Sequence, residues 1–177
     1  GTANQVLTTD GSGAVTFADA AGGGSPDLFA ENYDGTSTLP SATGTNALAL
    51  QDGAVASANR SIAVGRDAVS SGNYAVALGV YTDAITSFGT ALGYKAQTAS
   101  SDYATALTNS RASGSNSFAA AIANNTSSYG ATGANSISIG DRAKATSSNT
   151  LAVGSLTTSS GGDGSTALGY LSSATGL

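Results

Sequence analysis

The residues that could carry out chemistry in this chain are few, and their types limit the reactions available. The 177 residues include no His and no Cys, which removes the usual general base, the thiolate nucleophile and most zinc ligands. Glycoside cleavage needs two carboxylates at one site, yet the acids of the repetitive region are spread singly: Asp52, Asp67, Asp83, Asp102, Asp141 and Asp163. No phosphate-binding loop or dinucleotide motif occurs. The sequence therefore predicts a protein that is not an enzyme and has no catalytic, cofactor or metal site.

Binding residues are better represented than reactive ones. Tyr81, Tyr94 and Tyr170 follow closely after apolar phrases, while Asn124 and Tyr129 lie in the longest insertion between such phrases. Tyrosine is large, rigid and amphipathic, which suits it to contacts with partners, and insertions in repeat proteins often map to a binding face. We expect these five residues to lie on a contact surface. The alternative is that they only cover corners of the repeat or a neutral loop.

These residues depend for their positions on a short repeat. An apolar anchor, always preceded by Ala or Ser, recurs at Leu50, Val64, Leu78, Leu92, Leu107, Ile122, Ile139, Val153 and Leu168. The intervals between the anchors are 14, 14, 14, 15, 15, 17, 14 and 15 residues. A fixed period of this length indicates one small unit stacked many times, in which no single unit can bury a core. The pattern predicts an all-β solenoid of about nine coils.

Each coil offers two strands and two turns. Branched residues alternate with Ala before the anchor, which is the period of a β-strand. Gly follows the anchor in six coils, where a sharp turn or a close backbone approach is expected. A flattened coil of this length leaves a core one side chain thick, and we expect Ala with single Val or Leu residues to fill it. Burial in a lone rod is then marginal, so the remaining apolar face is predicted to pack against identical copies.

The column four residues before the anchor holds aromatic residues in four consecutive coils: Tyr74, Phe88, Tyr103 and Phe118. If the strand runs that far, the column lies on the face of the anchors. We expect a ladder within the core or between subunits. A surface on which sugars stack is the alternative.

The region before the repeats differs in composition. Gln5–Thr9 and Ala14–Ala18 are strand-like and flank a turn sequence, which predicts a β-hairpin module in residues 1–20. Residues 21–45 are expected to form a linker and loop, including Thr36–Thr45, so that the repeat domain spans 46–177. The net charge of −5 arises before Arg60, and the repeats are nearly neutral, which disfavours nucleic acid as a partner. No apolar run approaches the ~20 residues of a membrane span, so we expect no membrane insertion. Position 1 is Gly, which indicates a piece of a longer or processed protein.

The phrases Ser61-Ile-Ala-Val-Gly65 and Ser136-Ile-Ser-Ile-Gly140 resemble the head repeat of trimeric autotransporter adhesins. The resemblance covers Asn46–Leu177, and it implies a left-handed parallel β-roll that associates as a homotrimer. The chain departs from the repeat at Gln51, Thr108 and Ala123, which stand where Gly is expected.

The segment Gln5–Phe17 resembles a phrase of bacteriophage tail fibres, which also use such repeats. The combined resemblance implies a structural, adhesive segment of a tail fibre on the virion, with other tail proteins and a host-cell receptor such as a glycan as partners. The alternative is the head of a bacterial trimeric autotransporter adhesin, at the cell surface. An ice-binding solenoid is a further alternative, although its Thr array is broken here. Left-handed β-helix acyltransferases do not fit, because the chain has neither a six-residue period nor the His that this resemblance would require.

Overall fold

The computed structural model describes residues 5–9, 15–19, 38–121 and 128–175. The chain divides into two compact units, Gly1–Asp34 and Gly35–Leu177. In the first unit, β1 (Gln5–Thr9) pairs antiparallel with β2 (Val15–Asp19), with Gln5 opposite Asp19 and Thr9 opposite Val15. The predicted hairpin strands are therefore present, with the second displaced by one residue. The turn expected at residues 10–13 lies outside the described residues.

The second unit is a parallel solenoid of about nine coils, and its described residues contain no helix. Each coil contributes one long strand to a nine-stranded sheet and one short strand to a ten-stranded sheet. The long strands, which number the coils from 1 to 9, are β4 (Leu48–Leu50), β6 (Ile62–Val64), β8 (Val76–Leu78), β10 (Thr90–Leu92), β12 (Thr105–Leu107), β14 (Phe118–Ala120), β16 (Ile137–Ile139), β18 (Leu151–Val153) and β20 (Thr166–Leu168). The short strands are β3 (Ser41–Ala42), β5 (Val55–Ala56), β7 (Val69–Ser70), β9 (Asp83–Ala84), β11 (Gln97–Thr98), β13 (Arg111–Ala112), β15 (Gly130–Ala131), β17 (Lys144–Ala145), β19 (Thr158–Ser159) and β21 (Ser173–Ala174).

The solenoid begins earlier than the sequence pattern predicts. β3 lies inside the segment expected to be loop, and it pairs in parallel with β5. The Ser41 amide donates a hydrogen bond to the Ala54 carbonyl at 2.8 Å. The boundary at residue 46 is therefore wrong. A two-residue strand of Ser and Ala carries no hydrophobic signal, and only its pairing with the next coil identifies it.

The core between the two sheets is made of small side chains. Every buried apolar residue in the described part of the chain is alanine, and the middle residues of the long strands, such as Ala63, Ala77 and Ala91, are 0% exposed. Val and Leu do not fill this core, contrary to the expectation, because the two sheets approach with Ala on both inner surfaces. The branched side chains lie on the opposite face of the long strands.

Buried hydroxyl groups supplement the alanines, and the backbone satisfies most of them. Ser136 Oγ donates to the Gly133 carbonyl at 2.6 Å, and Thr150 Oγ1 donates to the Ser147 carbonyl at 2.7 Å. Each bond closes a turn three residues long while removing the penalty of a buried hydroxyl. Among the described residues, only Ser138 Oγ and one Asp52 oxygen are buried side-chain polar atoms without a partner.

The turn after each long strand requires a left-handed backbone. Gly65 and Gly79 both have φ near 130°, a conformation that L-residues rarely adopt. A Cβ on Gly79 would lie 2.5 Å from the Gly93 carbonyl oxygen of the next coil, so these glycines also permit close stacking. Gln51 and Thr108, which stand in place of Gly, also have positive φ, at 77° and 25°.

Coil 6 has a different register from the one that the anchor spacing predicts. Phe118 lies opposite Thr105, and Ala120 lies opposite Leu107. The anchor of this coil is therefore Ala120, and the intervals before and after it become 13 and 19 residues in place of 15 and 17. Ile122 and Ala123 lie outside the described residues, and Ala121, with φ of 55°, takes the position usually held by Gly. The predicted register was wrong because each anchor was taken to be Leu, Ile or Val, and Ile122 meets that condition whereas Ala120 does not.

Candidate interaction surface

The outer side of the nine-stranded sheet carries partly exposed apolar side chains along the solenoid. We call it the branched face; it consists of the first and third residues of each long strand. Leu78 and Ile137 are 38% and 40% exposed, although both belong to regular strands. Phe118 lies on this face beside Ala120, so one large and one small residue there replace two branched ones. Since contiguous exposed apolar surface marks interaction sites, the branched face is the main candidate for one.

Two rows of turns border the branched face. The leading turns precede the long strands, and the trailing turns follow them. The leading turns of coils 2 to 5 carry a continuous stack, which we call the aromatic column: Arg60, Tyr74, Phe88 and Tyr103. Ring centroids are 5.1 Å apart between Tyr74 and Phe88 and 4.8 Å between Phe88 and Tyr103, and the planes are within 3° of parallel. Arg60 Nη1 donates to the Tyr74 hydroxyl at 2.6 Å, with its guanidinium carbon 5.4 Å from the ring centroid.

The aromatic column differs in two ways from the predicted ladder. Its residues have φ between 54° and 61°, so they belong to the turn and not to the strand face. The register of coil 6 removes Phe118 from the column and puts Asn116 in its place. The rings are exposed, at 42% for Tyr74, 45% for Phe88 and 55% for Tyr103, so within a single chain they form no core seam.

Asparagines continue the same row of turns beyond the aromatic residues. Asn116 donates to Asn135, Asn135 donates to Asn149, each at 3.1 Å, and Asn149 donates to Asp163 at 2.7 Å. Asn tolerates left-handed φ better than most residues, and its amide can donate to one coil while accepting from another. In the sequence, the recurring pair Asn-Ser, at Asn116-Ser117 and Asn135-Ser136, indicated the register of coil 6. The spacing of the apolar anchors does not take this pair into account.

The structure brings together two of the five predicted contact residues. Tyr81 and Tyr94, which we call the tyrosine pair, lie in the trailing turns of coils 3 and 4 with their rings edge to face at 6.2 Å. Tyr129 is half-buried against the alanine core, and Lys144 Nζ lies 5.6 Å from its ring centroid. Tyr170 lies in the trailing turn of coil 9 and is 72% exposed. Asn124 lies outside the described residues.

The outer face of the ten-stranded sheet is more polar. Asp83, Gln97 and Arg111 form a ladder, in which Gln97 donates to Asp83 at 3.1 Å and Arg111 donates to Gln97 at 2.6 Å. In the described ranges, no group of acidic residues is placed to hold a metal ion. Those ranges also contain no helix long and apolar enough to cross a bilayer. The two faces of the solenoid therefore differ in polarity, and the branched face is the more apolar of the two.

Comparison with known proteins agrees with this architecture. Residues 56–82, 131–157 and 160–177 match the YadA head domain repeat. The matched segments include the long strands of coils 2, 3, 7, 8 and 9, and they leave out those of coils 1, 4 and 5 and of the irregular coil 6. A comparison with curated proteins gave no match. The chain thus carries adhesin-like head repeats, stacked as a parallel β-solenoid.

Proposed function

We propose that this chain is the head segment of a trimeric surface adhesin and is displayed at a bacterial cell surface. The observation that carries the proposal is the combination of a core of alanines and small hydroxyl residues with an outward branched face. The core buries only methyl groups and small hydroxyls, each of which contributes little transfer free energy. Apolar side chains large enough to contribute more lie outside it, where only association can bury them.

The match to the YadA head repeat supports three copies around one axis. In this arrangement the three branched faces turn inward and the polar ten-stranded sheets face solvent. Cyclic assembly also lets weak receptor contacts add through avidity, since one rod presents every contact three times. The proposed role is non-catalytic: a stiff spacer that presents contacts to a cell-surface receptor, with glycans as the first class to test.

The proposal is tested by comparing binding by the assembled and the dissociated chain. Leu78→Asp places a carboxylate in the branched face, and we expect it to dissociate the assembly because an unpaired buried charge is costly. Thr158→Asp on the outer face of the ten-stranded sheet is the matched control, because its neighbour in the ladder is Lys144. The parent and the control are expected to bind host cells or an array of immobilised cell-surface glycans at least tenfold more tightly than Leu78→Asp. Equal binding by a monomeric Leu78→Asp variant would rule out multivalent adhesion.

A bacteriophage tail-fibre segment is the second candidate. The hairpin of β1 and β2 favours it, because its sequence resembles a phrase of tail fibres. Antibodies raised against residues 46–177 distinguish the two origins. Labelling of intact bacterial cells supports the adhesin, whereas labelling of phage particles alone supports the tail fibre.

A further inference from the structure

We infer that the aromatic column of one chain packs against the tyrosine pair of the neighbouring chain, forming a seam between subunits. This inference rests on the proposed trimer and adds the residues that border its axis. When three sheets surround an axis parallel to the rods, the leading turns of each chain adjoin the trailing turns of the next. Such a contact is heterologous and closes after three copies. Rotation without translation keeps each coil at the height of the same coil in its neighbour.

The placement of aromatic residues is the first argument. Both rows of turns carry aromatic side chains in coils 3 and 4, at Tyr74 and Phe88 in the leading turns and at Tyr81 and Tyr94 in the trailing turns. The two rows lie at opposite ends of the same three-residue long strands, which by themselves span roughly 10 Å. They do not meet within one chain, although they would meet between neighbouring chains at equal height.

Ring geometry is the second argument. The near-parallel stack occupies the faces of the aromatic column, and Arg60 covers its first ring. Ring edges and hydroxyl groups are what the column presents outward. In the tyrosine pair, Arg66 lies 5.1 Å from the Tyr81 centroid and Lys95 lies 5.1 Å from the Tyr94 centroid. A cationic side chain therefore covers one face of each ring. Electropositive edges prefer electron-rich ring faces, so the two rows are complementary.

The same geometry disfavours a sugar as the occupant. A pyranose ring stacks on the free face of an aromatic ring, and the faces within the column are already paired with each other. The edges that remain suit a protein surface with aromatic faces and polar groups of its own.

The third argument is charge complementarity, and it comes from coil 2, which precedes the coils that carry the aromatic residues. Arg60 lies in the leading turn of coil 2, and Asp67 lies in the trailing turn of the same coil. Both side chains are exposed. In the seam they would face each other across the subunit boundary, which would fix the register of the neighbouring rods.

Cysteine cross-linking tests the seam directly, because the chain has no cysteine of its own. The double variant Arg60→Cys/Asp67→Cys leaves every aromatic residue in place. Within one chain the two cysteines flank the three-residue strand β6, which spans roughly 10 Å and so exceeds the ~7 Å limit between the Cα atoms of a disulfide. After oxidation, or with a short bis-maleimide, we expect a covalent trimer from the double variant and monomers from each single variant. The matched control, Arg60→Cys/Val69→Cys, moves the second cysteine to the outer sheet and is expected to give no covalent trimer.

The results separate the seam from the trimer itself. If light scattering gives a trimer but the double variant forms no covalent trimer, or a single variant cross-links alone, the seam is refuted and the assembly stands. If the parent chain is monomeric, the proposed assembly fails, and the seam fails with it.

Replacement of the aromatic residues gives an independent readout. Tyr74→Asn, Phe88→Asn and Tyr103→Asn together introduce the residue that Asn116, Asn135 and Asn149 already place in this row, so the turns are retained. The triple variant is expected to dissociate at a concentration at least tenfold higher than the parent, whereas Val69→Asn leaves this concentration unchanged. If the triple variant dissociates at the same concentration as the parent but no longer binds glycans, the column is a sugar-binding surface and the proposed seam is refuted.

Discussion

Two substitutions in strand β8, each enlarging a side chain on a different face, test which face of the strand lies in the core. Ala77 and Val76 are neighbours in the strand, and their side chains point to opposite faces. Ala77→Val adds two methyl groups to the inner face, while Val76→Ile adds one to the branched face. Ordinary β-sheet proteins bury branched residues and expose alanine. If this chain followed that rule, Val76→Ile would destabilise the fold more than Ala77→Val.

The magnitude follows from the surroundings of each residue. Ala77 is 0% exposed, and its neighbours in the ladder, Ala63 and Ala91, are also 0% exposed. Overpacking of such a site costs about 1–3 kcal/mol. Because 1 kcal/mol shifts the Tm of a chain of this length by roughly 2–4 °C, Ala77→Val is expected to lower the Tm by about 2–12 °C. Val76 pairs with Ile62 in the same column, so Val76→Ile is expected to change stability by less than about 0.5 kcal/mol.

Thermal melts followed by circular dichroism at one protein concentration provide the assay. Light scattering on each variant establishes that the oligomeric mass is unchanged, so that the Tm reports the fold and not dissociation. A Tm for Ala77→Val within about 2 °C of the parent would refute the tight alanine core. A larger loss from Val76→Ile than from Ala77→Val would show that the two faces are reversed.

Two further predictions concern the turns. Gly79→Ala is expected to destabilise the chain by about 2–4 kcal/mol in denaturant titration, because its Cβ would meet the backbone of Gly93 while adopting φ of 130°. Gly93→Ala is the control in the next coil, and it is expected to cost about half as much because its Cβ meets the rotatable Thr108 hydroxyl; equal losses would contradict close coil stacking. Asn135→Ala is expected to cost about 1–2 kcal/mol, since it removes two side-chain hydrogen bonds and places Ala at φ of 54°. Asn135→Gly relieves the backbone strain but not the lost bonds, so a smaller loss is expected, and a larger loss than for Ala would refute the assignment.

The repeat in the sequence was sufficient to predict the solenoid, its coil number and its two strands per coil. Alternation and period depend only on local residue types, which the sequence displays directly. The hairpin was predictable for the same reason, to within one residue at β2.

Features that depend on packing between coils could not be predicted in the same way. The sequence shows that Ala alternates with branched residues, but both kinds are apolar, and only the distance between the sheets decides which kind is inside. β3 is another example, because Ser41 and Ala42 become a strand only through their pairing with β5.

The candidate surface was predicted in part. Tyr81 and Tyr94 were singled out as contact residues and lie together, and the aromatic residues of the leading turns were recognised as a column. Phe118 was assigned to that column in error, because Ile122 satisfied the anchor rule. The asparagine ladder, which shows that Asn116 and not Phe118 belongs there, depends on side-chain hydrogen bonds between coils.

The central claim is that the thin alanine core leaves a branched face that only copies of the chain can bury. Light scattering coupled to size-exclusion chromatography tests it most directly. The account predicts a species of three times the chain mass of 16.9 kDa, and a shift of Leu78→Asp, but not of Thr158→Asp, to one chain mass. A folded, stable monomer of the parent chain at micromolar concentration would contradict the claim.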